Sequence, residues 1–265
     1  MKIRSDDADI SYEILGEGSA VVLLHAFPLN RDLWRPVAER LASAYRVILV
    51  DLRGHGASQV GSGPATMAKH AADVAQVCDA AAVGKAVLGG VSLGGYVLFE
   101  FWRRLRERVA GLILADTRSE ADDDQARTAR LQAAENVERS GPDAFCDALL
   151  PKLLAPSTLT NRPDLARAAR EMMATATAAG IAAVLRGLAQ RPDSVATLPA
   201  ITVPTLLLFG QEDRLSPVSE GEFMCRHIAS SRLHVVPGGG HLTVFEQPDA
   251  THDIVRKFLA GLDYS

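Results

Sequence analysis

The most informative segment of this 265-residue chain reads Ala86-Val87-Leu88-Gly89-Gly90-Val91-Ser92-Leu93-Gly94-Gly95-Tyr96-Val97-Leu98, where an apolar run passes directly into an amphipathic pattern. The run at 86–91 is typical of a strand buried on both faces, and the segment at 93–107 is typical of a helix. Ser92 lies at their junction, inside the pattern G-x-S-x-G. On such a tight turn the serine hydroxyl is held clear of the sheet, because the glycines remove side chains that would collide there. The segment therefore predicts a nucleophilic serine at a strand end.

Apolar runs and amphipathic segments alternate along most of the chain. Runs rich in Val, Ile and Leu, separated by crossover helices, predict an α/β protein with a mostly parallel sheet covered on both faces. An alternating segment at 10–15, followed by Gly16-Glu17-Gly18, predicts an antiparallel edge strand that ends in a turn. The other predicted strands lie at 21–24, 47–50, 86–91, 112–115, 205–209 and 233–236. The predicted helices lie at 33–43, 66–82, 93–107, 218–229 and 248–261.

The interval from 118 to 197 interrupts this alternation. Its Ala-, Arg- and Leu-rich pattern contains no strand signal, and its prolines predict several short helices rather than one long helix. The predicted breaks are Gly141-Pro142, Leu150-Pro151, Ala155-Pro156 and Arg162-Pro163. Ligands of open α/β sheets bind beyond the carboxyl ends of the strands, so an insertion that leaves from a strand end covers that site. We therefore predict a core of residues 1–117 and 198–265 with a helical cap insertion at 118–197.

Composition and charge narrow the class of partner. A hydrophobic fraction of 48% allows a full-sized core, and a net charge of −4 gives no general attraction for nucleic acid or anionic membranes. The three cysteines, Cys78, Cys146 and Cys225, lie outside any C-x-x-C pattern, which argues against a disulfide framework or a zinc site. No apolar run approaches the ~20 residues of a membrane span. We expect a cytoplasmic protein whose partner is a small molecule.

Two further strand ends carry the residues that a serine nucleophile needs. A serine hydroxyl is weak at neutral pH and requires a base, which a third group orients. His241 follows the last predicted strand, and Asp213 follows the strand at 205–209. The chain order Ser92, Asp213, His241 is the order expected when a triad occupies successive strand ends of such a sheet. Asp116 is the alternative acid, since it also follows a strand, and Glu212 is a third choice.

Several motifs at or near predicted strand ends occur together in this chain. They are Leu23-Leu24-His25-Ala26-Phe27-Pro28, Asp51-Leu52-Arg53-Gly54-His55-Gly56-Ala57-Ser58, and the segments 90–95, 210–213 and 238–242. Together they resemble the α/β-hydrolase family, and within it bacterial carboxylesterases and 3-oxoadipate enol-lactonase-like hydrolases. The resemblance implies a mostly parallel eight-stranded sheet flanked by helices, with a helical cap. It also implies an oxyanion hole formed by the backbone N–H groups of Phe27 and Leu93.

The chemistry implied is hydrolysis of a small carboxylic ester or lactone through an acyl-enzyme, with no cofactor. Carbon–carbon bond hydrolases and cofactor-free haloperoxidases or perhydrolases share the same serine machinery and stay open as alternatives. Dehalogenase and epoxide-hydrolase relatives are disfavoured, because they place Asp where this chain has Ser92. A hypothesis from another class is a non-catalytic small-ligand-binding module on the same fold.

The remaining candidate residues concern the pocket and metals. His25 and Trp34 are candidate pocket residues, although a histidine after a strand is also typical of one that holds a loop by hydrogen bonds. Histidines recur at intervals of seven residues at His227, His234 and His241. The zinc-binding motif H-E-x-x-H is not present. We therefore expect no metal.

Overall fold

The computed structural model describes residues 1–262 and contains one eight-stranded sheet. Its strands are β1 (Lys2–Ser5), β2 (Ala8–Leu15), β3 (Ala20–Leu24), β4 (Arg46–Val50), β5 (Ala86–Val91), β6 (Val109–Ala115), β7 (Thr205–Gly210) and β8 (Ser231–Val236). They are arranged in the order β1-β2-β4-β3-β5-β6-β7-β8. The pairs β1·β2 and β2·β4 are antiparallel and the others are parallel. The sheet is therefore mixed but mostly parallel, and the predicted fold class is confirmed.

The position predicted for the segment at 10–15 is wrong. This segment belongs to β2, which lies inside the sheet between β1 and β4. The edge is β1, where Lys2 pairs with Ser11 and Ser5 pairs with Ala8. Sequence reasoning missed β1 because this strand is short and mostly polar, so it carries no run of apolar residues.

The helices pack on both sides of the sheet and over its carboxyl edge. They are α1 (Arg35–Leu41), α2 (Met67–Ala80), α3 (Leu93–Leu105), α4 (Asp124–Ser140), α5 (Asp143–Leu153), α6 (Pro156–Asn161), α7 (Pro163–Met173), α8 (Ala178–Ala189), α9 (Val218–His227), α10 (Thr243–Glu246) and α11 (Pro248–Ala260). The five helices predicted outside the insertion are present, with ends that differ by a few residues. A 3-10 turn, Arg31–Trp34, precedes α1, and the side chain of Asn30 caps it by accepting from the Asp32 amide.

Five helices, α4 to α8, lie between β6 and β7. Pro156 and Pro163 occupy the first positions of α6 and α7, where a missing N–H costs nothing, and Pro142 directly precedes α5. The break predicted at Leu150-Pro151 is wrong, because α5 continues through Pro151 and ends two residues later. A proline so close to the end disturbs few hydrogen bonds. No single helix within residues 1–262 is long and apolar enough to span a membrane, although α7 and α8, bent by 91°, meet that test as a pair.

The parallel strands separate two hydrophobic cores. In β3, Val22 and Leu24 face one core, while Val21 and Leu23 face the other. Both faces are thus covered, which explains why these strands read as continuous apolar runs rather than as alternating ones. Their carboxyl ends open toward the helices α4 to α8.

Candidate active site

Ser92 lies on a strained turn between β5 and α3. Its backbone has φ 51° and ψ −107°. Residues other than glycine rarely adopt this backbone conformation, which costs on the order of 1–3 kcal/mol. Two glycines permit the turn: a Cβ on Gly90 would lie 2.4 Å from the carbonyl carbon of Gly94, and one on Gly94 would lie 2.6 Å from the Leu24 oxygen. The Ser92 amide donates to the Ala115 oxygen of β6 at 2.9 Å. The turn is therefore fixed to the sheet and projects the serine beyond the strand end.

His241 and Asp213 form a buried pair on the loops that follow β8 and β7. The Nδ1 atom of His241 lies 2.8 Å from Oδ2 of Asp213. The other carboxylate oxygen accepts the amides of Leu215 at 2.8 Å and Ser216 at 3.0 Å, so both oxygens are held. Since Nδ1 is engaged, Nε2 is the nitrogen available to Ser92, and both residues line one cavity.

Within residues 1–262, no hydrogen bond joins Ser92 to His241. Such contacts are often long in unliganded enzymes and shorten when substrate binds.

Asp116, the alternative acid, has other partners. It is fully buried, and its carboxylate accepts the Gly210 amide at 2.8 Å and the Thr243 amide at 3.2 Å. Burial, and then the nearby negative charge of Asp213, raise the pKa of Asp116 well above its ordinary value. Asp116 thus connects the end of β7 to the start of α10 and does not contact the imidazole. Glu212 accepts instead from the Ser157 hydroxyl at 3.0 Å.

The candidate oxyanion-hole residues, Phe27 and Leu93, both line the cavity that contains Ser92. In the part of the chain that the structure describes, neither backbone amide donates a hydrogen bond to a protein acceptor. Leu93 is the first residue of α3, so its N–H has no partner inside the helix and lies at the positive end of the helix dipole. These two amides are available to an oxygen bound beside Ser92.

His25 and Trp34 do not line this cavity, so their assignment to the pocket is wrong. Both are fully buried. The Nδ1 of His25 contacts the Ala26 oxygen at 2.9 Å, while Nε2 accepts the Leu52 amide at 2.9 Å. Burial lowers the pKa of His25 to about 4. The indole N–H of Trp34 donates to the Leu24 oxygen at 2.9 Å. Their polar atoms are used inside the core, where they hold loops.

The cavity has a volume of about 360 Å³ and reaches from Ser92 into the helices above the sheet. Sequence reasoning missed most of its lining, although a helical signal was present: Tyr96 lies one turn after Ser92, and α4 contributes residues at helical spacing. The lining residues not predicted are Tyr96, Arg118, Asp122, Ala126, Ala129, Arg130, Ala133, Phe145, Leu149, Leu153, Leu185, Leu188, Leu215 and Ser216. Among residues 1–262, no group of three or more His, Cys, Asp or Glu side chains is arranged to hold a metal ion.

Residues 19–248 match the family model described as alpha/beta hydrolase fold. The chain therefore belongs to the α/β-hydrolase family, and the resemblance stated from its motifs is confirmed.

Its relatives include named esterases and lactonases. The chain is 27% identical over 258 residues to "3-oxoadipate enol-lactonase 2" of Acinetobacter baylyi, covering 96% of this chain and 94% of that protein. It is 30% identical over 261 residues to "Pimeloyl-[acyl-carrier protein] methyl ester esterase" of Xanthomonas campestris pv. campestris, covering 94% and 98%. Among solved structures, a malate-bound thermophilic esterase from Thermogutta terrifontis is 43% identical, with a TM-score of 0.95 and coverage of 98% and 97%.

Proposed function

We propose that this protein is a serine hydrolase that cleaves a carboxylic ester or lactone of a small molecule through an acyl-enzyme on Ser92. The observation that carries the proposal is the 2.8 Å contact between His241 and Asp213 at the wall of the cavity that Ser92 lines. A buried carboxylate that orients an imidazole beside a strained serine is the arrangement that acyl transfer requires.

In the first half-reaction, Ser92 Oγ attacks the carbonyl carbon while Nε2 of His241 takes its proton. Asp213 holds the ring in the correct tautomer and stabilises the imidazolium that forms. The carbonyl oxygen becomes an oxyanion between the amides of Phe27 and Leu93. Each such donor contributes on the order of 10²–10³ in rate. The C–O bond then breaks, and His241 returns the proton to the leaving oxygen.

In the second half-reaction, water attacks the acyl-enzyme. His241 accepts a proton from the water, and it gives this proton to Ser92 Oγ as the second tetrahedral intermediate collapses to the acid and free Ser92. The sum is ester plus water giving acid plus alcohol. For a lactone, both product groups stay on one molecule.

The names of the relatives and the lining of the cavity support an ester or lactone substrate. Relatives that align over nearly the whole chain are named as an enol-lactonase and as esterases. Most of the cavity wall consists of Leu, Ala and Phe side chains, which suits a small, partly apolar molecule. We further propose that residues 118–197 form a cap that sets substrate choice, because this segment supplies much of the wall.

The test is hydrolysis of a p-nitrophenyl ester series and a simple lactone by the wild-type protein and Ser92→Ala. We expect wild-type turnover that Ser92→Ala lowers by about 10⁴-fold or more. Ser219→Ala, at an exposed position of α9, is the matched control and should retain wild-type kcat/KM.

Trapping of an acyl adduct on Ser92, seen as a mass increase of the intact protein, would add direct support. The absence of Ser92-dependent turnover on every ester and lactone would favour a ligand-binding module instead.

A further inference from the structure

The cavity lining includes a few charged side chains that come from one stretch of the chain. Arg118, Asp122 and Arg130 lie in the first part of the segment between β6 and β7. The apolar part of the lining comes from Phe27, Phe145, Leu149, Leu153, Leu185, Leu188 and Leu215. A substrate in this cavity therefore meets mostly hydrocarbon and a small number of charged groups.

The charges of these lining residues do not balance, because they comprise two arginines and one aspartate. Asp122 forms ion pairs with both Arg130 and Arg191, so a single negative charge lies against two positive charges. Arg118 donates to the backbone oxygen of Leu215 and forms no ion pair with a carboxylate among residues 1–262. Burial raises the pKa of Glu220, on which the charges of Arg118, Glu120 and Arg191 also act, but Glu220 forms no ion pair with either arginine in the described chain. The charged side chains that line the cavity itself therefore carry an excess of positive charge.

Arg191 shows that this charge is poorly compensated. Its side chain is 2% exposed, and its Nε and Nη1 atoms have no hydrogen-bond partner within residues 1–262. Its guanidinium lies 4.0 Å from the centre of the Tyr96 ring, which itself lines the cavity. A buried cation without enough acceptors is costly, and an anion nearby lowers that cost.

Helix α4 leaves room for such an anion. Four of its residues face the cavity at helical spacing, Ala126, Ala129, Arg130 and Ala133. Three are alanines, so Arg130 is the one long side chain that this face of α4 contributes to the lining. The side chain of Arg130 is 27% exposed and lines the cavity, so a bound molecule can reach it.

We propose that the substrate carries an anionic group, a carboxylate being the simplest, which binds beside Arg118 and Arg130 while its ester or lactone carbonyl lies at Ser92. This inference rests on the proposed hydrolase function and adds its substrate class. Arg130 donates to Asp122 through Nε and Nη2, so the N–H groups of Nη1 and the second N–H of Nη2 are the donors that it offers to a bound carboxylate.

The experiment compares matched pairs of esters that differ in one charge. Monomethyl adipate against its neutral monoamide places the charge on the acyl side, and 4-acetoxybenzoate against 4-acetoxybenzamide places it on the leaving group. The readout is the ratio of kcat/KM, anionic over neutral. We expect a ratio well above one for at least one pair in the wild type, and a fall of about 10- to 100-fold in Arg130→Gln.

Two variants separate charge from packing. Arg130→Lys keeps the positive charge and should retain part of the preference, whereas Arg127→Gln, on the exposed face of the same helix, should retain all of it. Neutral esters that turn over as fast as their anionic partners, with a ratio that Arg130→Gln leaves unchanged, would overturn the inference while the hydrolase proposal stands. Failure of all four esters, with other esters also inert, would instead remove the proposed function.

Discussion

Two buried aspartates lie within reach of the same loops, and their partners differ. Asp213 contacts the His241 ring, while Asp116 accepts the amides of Gly210 and Thr243. Asp116 therefore holds the end of β7 and the start of α10 in place, and Asp213 acts on the imidazole itself. At the scale of single residues this difference is open to a direct test.

We expect Asp213→Asn to lower kcat by on the order of 10³–10⁴, because an amide does not hold the imidazole in the required tautomer. Asp116→Asn should lower kcat far less, and its cost should appear as about 1–3 kcal/mol in the free energy of unfolding, since a buried amide loses its acceptor. Steady-state kinetics and urea unfolding of both variants measure the two effects. A larger loss of kcat in Asp116→Asn than in Asp213→Asn would assign the acid to Asp116.

The sequence predicted which polar residues follow strand ends, but it did not predict where each side chain points. Asp116 and Asp213 both follow strands of one sheet, so position alone did not separate them. Trp34 was predicted to line the pocket, but its indole N–H donates to the Leu24 oxygen in the core. The direction of a side chain depends on tertiary packing, and the local sequence pattern contains no information about that packing.

Between elements, Glu246 of α10 joins the start of α6 to the loop of His241. It is 2% exposed, and its two carboxylate oxygens accept the Ala155 amide at 2.8 Å and the Gly240 amide at 2.9 Å. The hydroxyl of Ser157 makes a second connection, to Glu212 beside Asp213. The segment around α6 thus contacts both loops of the candidate site.

Glu246→Ala should lower the free energy of unfolding by about 3 kcal/mol, because two buried amides lose their acceptor. It should also lower kcat by about 10- to 100-fold as the His241 loop loosens. Ser157→Ala, which removes a partly exposed contact, should cost less than about 1 kcal/mol. Chemical denaturation and ester kinetics are the measurements, and equal effects of the two variants would contradict the role given to Glu246.

Elements with a strong local pattern were predicted, and those without one were not. The apolar runs of β3 to β7, and the prolines at the first positions of α6 and α7, predicted these elements correctly. The polar strand β1 and the four-residue helix α10 carry too few residues for any periodicity. Pro151 was misleading because its effect depends on how near the helix end it lies.

For the molecule as a whole, three buried histidines link folding to pH. His25, His55 and His70 are at most 1% exposed, and the rings of His25 and His55 lie 5.0 Å apart. Burial lowers the pKa of His25 to about 4 and that of His55 to about 3, and it lowers the pKa of His70 well below 6.5. Below pH 6.5 the unfolded chain binds protons that the folded chain does not, so these groups reduce stability as the pH falls from 6.5 toward 4.

His70 gives the cleanest test of this linkage, because neither of its ring nitrogens has a hydrogen-bond partner within residues 1–262. His70→Leu removes the group that must stay neutral in the fold. We compare the free energy of unfolding of His70→Leu with that of the wild type at two pH values. The difference, variant minus wild type, should be about 2 kcal/mol more positive at pH 5 than at pH 7.5. The raised pKa values of Asp116 and Glu246 make stability depend on pH in the opposite direction. Both proteins contain these groups, so their contribution cancels in the difference.

Urea unfolding at the two pH values provides the measurement. His234→Gln, at an exposed position of β8, is the control and should change the stability equally at both. A pH-independent difference between His70→Leu and wild type would exclude the linkage.

The alanines of α4 also make the cavity easy to redesign. Ala126, Ala129 and Ala133 are separated along the helix axis by about 4.5 Å and 6 Å, given a rise of about 1.5 Å per residue. A longer side chain at each position should narrow the cavity at a different point along α4. Under the proposed function, preference for substrate size is therefore open to graded adjustment by single codons, whether in a laboratory library or in natural drift.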